Sequence, residues 1–359
     1  MMSNHLKFIN LAHDVASKNL GKTFPNPTVG CVISKNNIII SKAVTSTTGR
    51  PHAEEIALKK AGKKAKGAIM YVTLEPCFHS SQNGSCADQI LRSGIKKIYI
   101  SCIDQDPRTK KKSISKLKKN KIKVITGIEK DKTISVNNFY FKSLKKKKPF
   151  TKVKMAISND NKIAWSNYKS KWISNSKSRA YVHSLREKTQ AILTTSKTIL
   201  IDNPRFTVRK KNKIIKNLNV IIIDKNLNIP LNINLLKNLH ERRVIIFTSK
   251  KNNKSQKLKQ LGCEIIEMKI VNNKFDLKKI FSHIYQLKIS DLMVEAGGIL
   301  FADLIKNNLV DEILLFKAPY IIGEKGVPVI EGNSLNNIKK KLLEIIKFDD
   351  NLYLKYAIK

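Results

Sequence analysis

Four residues in the N-terminal part of this 359-residue chain have the types and spacing to hold a catalytic metal. His52 and Glu54 stand in RPHAEEIAL, and Cys77 and Cys86 bracket the polar stretch CFHSSQNGSC. One imidazole and two thiolates are the set that zinc takes when its fourth position is kept for water. Residues two apart diverge by about 200° on a regular helix, so His52 and Glu54 converge on one centre only at a helix mouth, and Pro51 suits a first helical turn. Cys86 begins the apolar-periodic run CADQIL, where a helix N-terminus would lower the thiol pKa. A metal in that set would acidify water, and Glu54 would carry protons from that water to a leaving amine. A structural zinc, or unrelated buried cysteines, remain open on the spacing alone.

His-x-Glu followed by Pro-Cys-x-x-Cys is the signature of zinc deaminases. Here Pro76 precedes Cys77 as required, but eight residues separate the two cysteines. The other three, Cys31, Cys102 and Cys263, fall in expected strands and read as core packing. Five cysteines spread thinly, and no apolar N-terminal segment, argue against a disulfide framework or secretion. Apolar runs such as NVIIID at 219–224 fall far short of the roughly 20 residues that span a bilayer. The expectation is a cytoplasmic protein with no membrane partner.

The charge is extreme, with 69 Lys+Arg against 27 Asp+Glu, formally +42. Such a balance admits nucleic acid as a partner, because phosphate contacts carry non-specific affinity. The excess is mostly Lys, mixed with Asn and Ile along the whole chain, whereas a nucleic-acid face would concentrate Arg and aromatics. The same field would draw an anionic small substrate. Two alternatives therefore stay beside a small-molecule enzyme: a nucleic-acid (tRNA) adenosine or cytidine deaminase, and a basic RNA-binding zinc protein, in which Glu54 would be idle.

Two domains must position these residues, since the length exceeds one ordinary core. The run KSLKKKKPF at 142–150 reads as a solvated linker, its like charges and Pro149 opposing helix continuation, and divides the chain into 1–146 and 147–359. Before it, the pattern predicts helices at 5–20, 53–62, 86–93 and 113–120, alternating with a strand pair at 28–43 and strands at 68–73, 97–102 and 122–126. After it come strands at 151–157, 190–194, 219–223, 243–247, 263–267, 291–294 and 311–318, with helices at 176–188, 253–261, 276–288 and 299–307. Both halves read as α/β.

FPNPTVGCVI, PHAEEIAL, YVTLEPCFH, the cysteine spacing and DQDPRT resemble the deaminase domain of the bifunctional riboflavin-biosynthesis deaminase/reductase family. VKMAISNDNKIA, SKWISNSKSRAYVHSLR, AILTTSKTILIDNPRFTVR, VIIID and VEAGGILFADLI fall in the order and spacing of its reductase half. The resemblance implies an N-terminal cytidine-deaminase-like α/β/α zinc domain and a C-terminal dihydrofolate-reductase-like α/β domain. It implies hydrolytic deamination of 2,5-diamino-6-(5-phosphoribosylamino)pyrimidin-4(3H)-one, then reduction of the ribosyl group of the product to ribityl. The implied cofactors are one zinc per chain and NADPH; the implied partner is a phosphorylated pyrimidine, and a homo-oligomer is compatible with it.

Carried over residue by residue, His52, Cys77 and Cys86 match the zinc ligands and Glu54 the proton carrier, while Asn26 and His79 match pyrimidine contacts. Ala156, Trp172, Thr198, Asp202 and the segment Gly297, Gly298, Ile299, Leu300, Phe301, Ala302 and Asp303 match cofactor contacts. Ser170, Arg186, Phe206, Arg209 and Glu295 match substrate contacts. Guanidinium forks at Arg186 and Arg209 suit a sugar phosphate, and two glycines opening a helix let backbone N–H groups approach one. Three departures stand out. The family's Gly-Arg/Lys-Thr-Pro-Pro before the second cysteine is Ser81, Gln82, Asn83, Gly84 and Ser85 here; RTKKKSISK follows Pro107 where glycines are usual; and Asn161 and Asn203 replace common Gly and Asp. Lys110, Lys111 or Lys112 are the expected replacements for the lost basic residue.

Overall fold

The computed structural model describes residues 2–79, 84–168, 173–211, 213–331 and 338–358. The chain forms two compact units, Met1–Lys147 and Lys148–Lys359.

The first unit runs α1 (Met2–Ser17), β1 (Gly30–Lys35), β2 (Ile38–Val44), α2 (Ala53–Ala61), β3 (Ile69–Leu74), α3 (Cys86–Arg92), β4 (Lys97–Cys102), α4 (Lys112–Lys119), β5 (Lys123–Thr126), α5 (Lys130–Val136) and α6 (Asn138–Lys146). Its sheet has the order β2-β1-β3-β4-β5; β1 is antiparallel to both neighbours, while β3, β4 and β5 are mutually parallel. Alternation along the strands sorts side chains to two faces. Cys31, Ile33, Met70, Val72, Ile98 and Ile100 pack under α2, α3 and α4, whereas Val32, Tyr71 and Tyr99 meet Phe8, Ile9 and Ala12 of α1. Gly30 permits that second contact: a Cβ there would lie 1.9 Å from the Ala12 carbonyl oxygen.

The second unit runs β6 (Phe150–Ile157), β7 (Lys162–Ala164), α7 (Ser176–Glu187), β8 (Ala191–Thr195), α8 (Ser196–Asp202), β9 (Thr207–Lys210), β10 (Lys213–Asn217), β11 (Asn219–Ile223), β12 (Val244–Thr248), α9 (Asn253–Gln260) and β13 (Glu264–Glu267). It continues with β14 (Ile270–Val271), β15 (Lys274–Phe275), α10 (Leu277–Gln286), β16 (Asp291–Val294), α11 (Gly298–Lys306), β17 (Glu312–Lys317), β18 (Val327–Pro328), β19 (Lys340–Phe348) and β20 (Asn351–Ile358). The main sheet has nine strands in the order β13-β12-β11-β8-β16-β6-β17-β20-β19. It is parallel up to β17, and the terminal hairpin joins antiparallel. One face packs on α10 and α11, and the other takes Val182 of α7, Ile199 of α8 and Leu258 of α9.

Every strand and helix expected from periodicity is present within a few residues. The expected lysine linker is corrected: α6 continues through Lys145 and Lys146, and Lys147 ends it with a left-handed φ of 52°. Cations in a last helical turn interact favourably with the helix dipole, which offsets their repulsion. Pro51 precedes the N-cap His52 and does not occupy the first turn. Cys263 lies one residue before β13 and, like Cys31 and Cys102, is buried. The pattern did not indicate α5, α6, α8, the β9–β10 hairpin or the β19–β20 hairpin. No helix among the described residues is long and apolar enough to cross a membrane.

Candidate functional site

In the first unit, two helix N-termini bring the metal-binding set together. His52 is the N-cap of α2, its backbone N–H donating to Glu55 Oε2 at 3.0 Å. Cys86 is the first residue of α3, behind the N-cap Ser85, whose hydroxyl accepts from the Asp88 N–H at 3.1 Å. Cys77 follows β3 and receives the Cys86 N–H on Sγ at 3.3 Å. His52 Nδ1 stands 3.3 Å from Cys86 Sγ, and one ligand atom from each of the three lies within 4.8 Å of the others. Glu54, 3% exposed, is the second residue of α2, two positions past His52.

The electrostatics are those of a site that handles protons. Burial pushes the Glu54 carboxyl up to about 7, against the opposing charge of His52. The hydrogen bond from Cys86 draws the Cys77 thiol down to about 4, and Cys86 moves up in return. Burial opposes the charged form of His52, but the Cys77 hydrogen bond and the Glu54 charge leave its pKa raised. This donor set, two sulfurs and one imidazole with a titratable carboxylate beside it, fits zinc with an open coordination position.

Asn26 and His79 differ in how they are engaged. Asn26 Nδ2 donates to the Gly49 carbonyl at 2.9 Å. His79 Nδ1 is buried and has no hydrogen-bond partner among the described residues, and burial holds the ring below its ordinary pKa. Two residues that the sequence did not single out organise the rim. Glu75, 3% exposed, accepts the Asp104 N–H at 3.2 Å, the Lys111 N–H at 3.1 Å and the Ser113 hydroxyl at 2.8 Å. Asp104 accepts the Tyr140 hydroxyl at 3.0 Å, and burial raises its carboxyl to about 6. Their signal was an acid at the end of each of two buried strands, Glu75 directly after β3 and Asp104 two residues after β4. Ser81, Gln82 and Asn83 lie outside the described residues.

The second unit contains a cavity of about 1370 Å³ that Ala156, Thr198, Asp202, Phe206, Arg209, Glu295, Gly297, Gly298, Ile299, Leu300 and Asp303 line. Single-ligand sites usually span about 300–1,000 Å³, so this volume has room for two ligands side by side. Phe301 and Ala302 turn instead into the core, at 4% and 0% exposure, because they occupy the inward face of α11. Trp172 and Ser170 lie outside the described residues.

At the cavity wall Arg186 donates from Nε and Nη2 to the two Glu295 oxygens at 2.7 and 2.8 Å. Its fork is thereby committed to a carboxylate rather than open to a phosphate. Arg209, whose Nε donates to the Thr207 hydroxyl at 3.2 Å, is the more available of the two. Lys154 on β6, unremarked in the sequence, stands with Nζ 4.0 Å from Glu295 Oε2 and lines the same cavity. Burial lowers its pKa while Glu295 opposes that shift. A lysine in a central parallel strand was the available signal, since such a cation is rarely buried without a partner. Gly298 opens α11 beneath β18, where a Cβ would meet the Pro328 and Val329 carbonyls at 2.9 Å.

Residues 2–102 match the cytidine and deoxycytidylate deaminase zinc-binding region, and residues 149–354 match the RibD C-terminal domain. The riboflavin biosynthesis protein RibD of Aquifex aeolicus is 37% identical over 345 residues, covering 93% of this chain and 94% of that one. Its counterpart in Buchnera aphidicola is 34% identical, covering 92% and 91%. The solved structure of Acinetobacter baumannii RibD superposes with a TM-score of 0.91 at 29% identity, covering all of both chains. A Thermotoga maritima diaminohydroxyphosphoribosylaminopyrimidine deaminase/5-amino-6-(5-phosphoribosylamino)uracil reductase superposes with a TM-score of 0.86 at 28% identity, covering 99% of both. A nucleic-acid deaminase or an RNA-binding zinc protein is not favoured, since neither accounts for residues 149–354. With one domain family spanning more than half its length and full-length relatives above 30% identity, the chain belongs to the RibD family of bifunctional riboflavin-biosynthesis deaminase/reductases.

Proposed function

We propose that residues 1–146 deaminate 2,5-diamino-6-(5-phosphoribosylamino)pyrimidin-4(3H)-one and that residues 147–359 reduce the ribosyl group of the product with NADPH, in the cytoplasm. The observation that carries this reading is the convergence of His52, Cys77 and Cys86, with the buried Glu54 two residues from His52 and within reach of the charges of His52 and Cys77. One zinc held by those three would supply the Lewis acidity that makes water a nucleophile at neutral pH. Glu54, with a pKa near 7, takes a proton on its carboxylate and returns it to the departing amine, as a base and acid poised at working pH does best. Asn26 and His79 orient the pyrimidine, and the unpartnered His79 Nδ1 is a ring-nitrogen contact waiting for a polar edge.

In the second unit NADPH would supply the hydride. Thr198, Asp202 and the α11 N-terminus at Gly297 and Gly298 would hold it, with helix N–H groups meeting its phosphates. Arg209 and Phe206 bind the ribosylaminouracil, with Arg186 orienting Glu295. Lys154 would give a proton to the ribosyl ring oxygen as the C1′–O bond breaks and hydride reaches C1′, with the Glu295 carboxylate 4.0 Å away holding the ammonium in place, a role that the lowered Lys154 pKa and that approach support. Incubating the chain with the diaminopyrimidine phosphoriboside and NADPH, while following ammonia and nicotinamide absorbance separately, tests both halves. Ammonia without NADPH oxidation refutes the second assignment; no ammonia refutes the first, and the deaminated product supplied directly then tests the second on its own.

A further inference from the structure

We propose that Arg50 is the residue that takes the substrate phosphate in the deaminase step, making this half selective for phosphorylated over phosphate-free pyrimidine ribosides. This deepens, and rests on, the deaminase reading above.

The first argument is position. Arg50 lies between Gly49, whose carbonyl accepts from Asn26 at 2.9 Å, and Pro51-His52, which opens α2. The turn that presents it is closed by Gly49 N–H to the Ser46 carbonyl at 2.9 Å and Ser46 N–H to the Pro51 carbonyl at 3.1 Å. Its guanidinium therefore issues from a segment pinned on one side to the candidate pyrimidine contact and on the other to a candidate metal ligand.

The second argument is availability. Arg50 is exposed, and its side chain makes no ion pair or hydrogen bond among the described residues. Arg108, the other arginine close to His79, is already neutralised: its Nε and Nη2 both reach Asp106 Oδ2, at 2.9 and 2.5 Å. The charges of Arg50 and Arg108 both act on His79, and that of Arg50 also acts on His52. Lys110 and Lys111 leave a turn held inward by the Asp106 carbonyl at 2.8 Å and Glu75 Oε2 at 3.1 Å. A lysine there offers a point charge rather than a fork.

The third argument is solvation. The reacting carbon must approach the buried Glu54, but a phosphate dianion cannot follow it inward without a large desolvation penalty. It stays at the rim, where an exposed guanidinium can meet it bidentately.

The test uses the zinc-loaded full chain and measures ammonia release from the phosphoribosylaminopyrimidine and from its phosphate-free riboside. Wild type, Arg50→Ala, Arg50→Lys and the combined Lys110→Ala, Lys111→Ala, Lys112→Ala variant are compared. Arg50→Ala is expected to lower kcat/KM for the phosphorylated compound roughly tenfold, mostly through KM. The riboside should change less than about twofold, zinc content should not change, and Arg50→Lys should recover part of the loss. High salt should shrink the difference. Equal losses on both compounds would mean that Arg50 supports His52 or Asn26 and would overturn the proposal; so would selectivity lost only in the lysine variant. A wild-type chain that releases ammonia from neither compound brings down the deaminase reading itself, and this proposal with it.

Discussion

Replacing Glu295 by Gln isolates the polar centre of the second unit. The carboxylate is 11% exposed and carries the Arg186 fork, with Lys154 at 4.0 Å. Burial alone would raise its pKa, but the charge and hydrogen bonds of Arg186 and the charge of Lys154 hold it down from 4.5 to about 2. That interval, at roughly 1.4 kcal/mol per pH unit, corresponds to about 3 kcal/mol of stability. Removing one partner of a buried pair costs about 3–5 kcal/mol by a separate route, the uncompensated charge left behind. A folded-state pKa below the unfolded one gives stability that is fully present above pH 4.5 and is lost as the pH falls towards 2. The neutral variant has no such titration, so the gap between it and wild type should narrow by roughly 0.8 kcal/mol at pH 4. Both tryptophans, Trp165 and Trp172, belong to the second unit, so urea unfolding followed by tryptophan fluorescence reports that unit alone. A gap under about 1 kcal/mol at pH 7, or one that does not change with pH, refutes the reasoning. Adding Arg186→Met to the variant should restore part of the loss, because the stranded cation goes with it.

Glu54→Gln should keep its zinc and lose roughly 10³-fold in ammonia release, whereas His52→Ala, Cys77→Ser and Cys86→Ser should lose the metal first, as metal analysis will show. Gly298→Ala places a Cβ 2.9 Å from the Pro328 and Val329 carbonyls. It should raise the KM for NADPH several-fold in a steady-state assay with little effect on ammonia release, the displacement of β18 being local. A fragment of residues 149–359 should fold, bind NADPH and reduce the deaminated intermediate unaided; a soluble fragment that fails to bind NADPH counts against the reductase assignment.

The alternating apolar strands and the helices between them were legible because burial on a two-faced sheet imposes a period on the chain. The His52, Glu54, Cys77 and Cys86 set was legible for a related reason: metal ligands near a helix mouth and a strand end are constrained locally, so their spacing survives as a motif. Elements without an apolar stripe of their own were not legible. Thus α5, whose buried residue is Thr133, is held by polar anchors: the Thr133 hydroxyl donates to the Thr73 carbonyl at 2.8 Å, and Asn137 at its end exchanges hydrogen bonds with the Thr28 backbone at 2.7 and 3.0 Å. In α6, which packs Phe139, Tyr140 and Phe141 inward, the lysine run that ends the helix obscured the apolar face. The β19–β20 hairpin depends on pairing with β17. The pairing of Arg186 with Glu295 joins residues 109 apart in the chain, and Lys154 approaches the same carboxylate from another strand. Only the tertiary structure decided that the Arg186 fork serves a carboxylate, that Phe301 and Ala302 face the core, and that Glu75 fastens the 104–113 loop. In the first and last of these cases groups distant in sequence meet at one buried carboxylate, and in the second the sheet decides which face of α11 is covered; no local spacing records either.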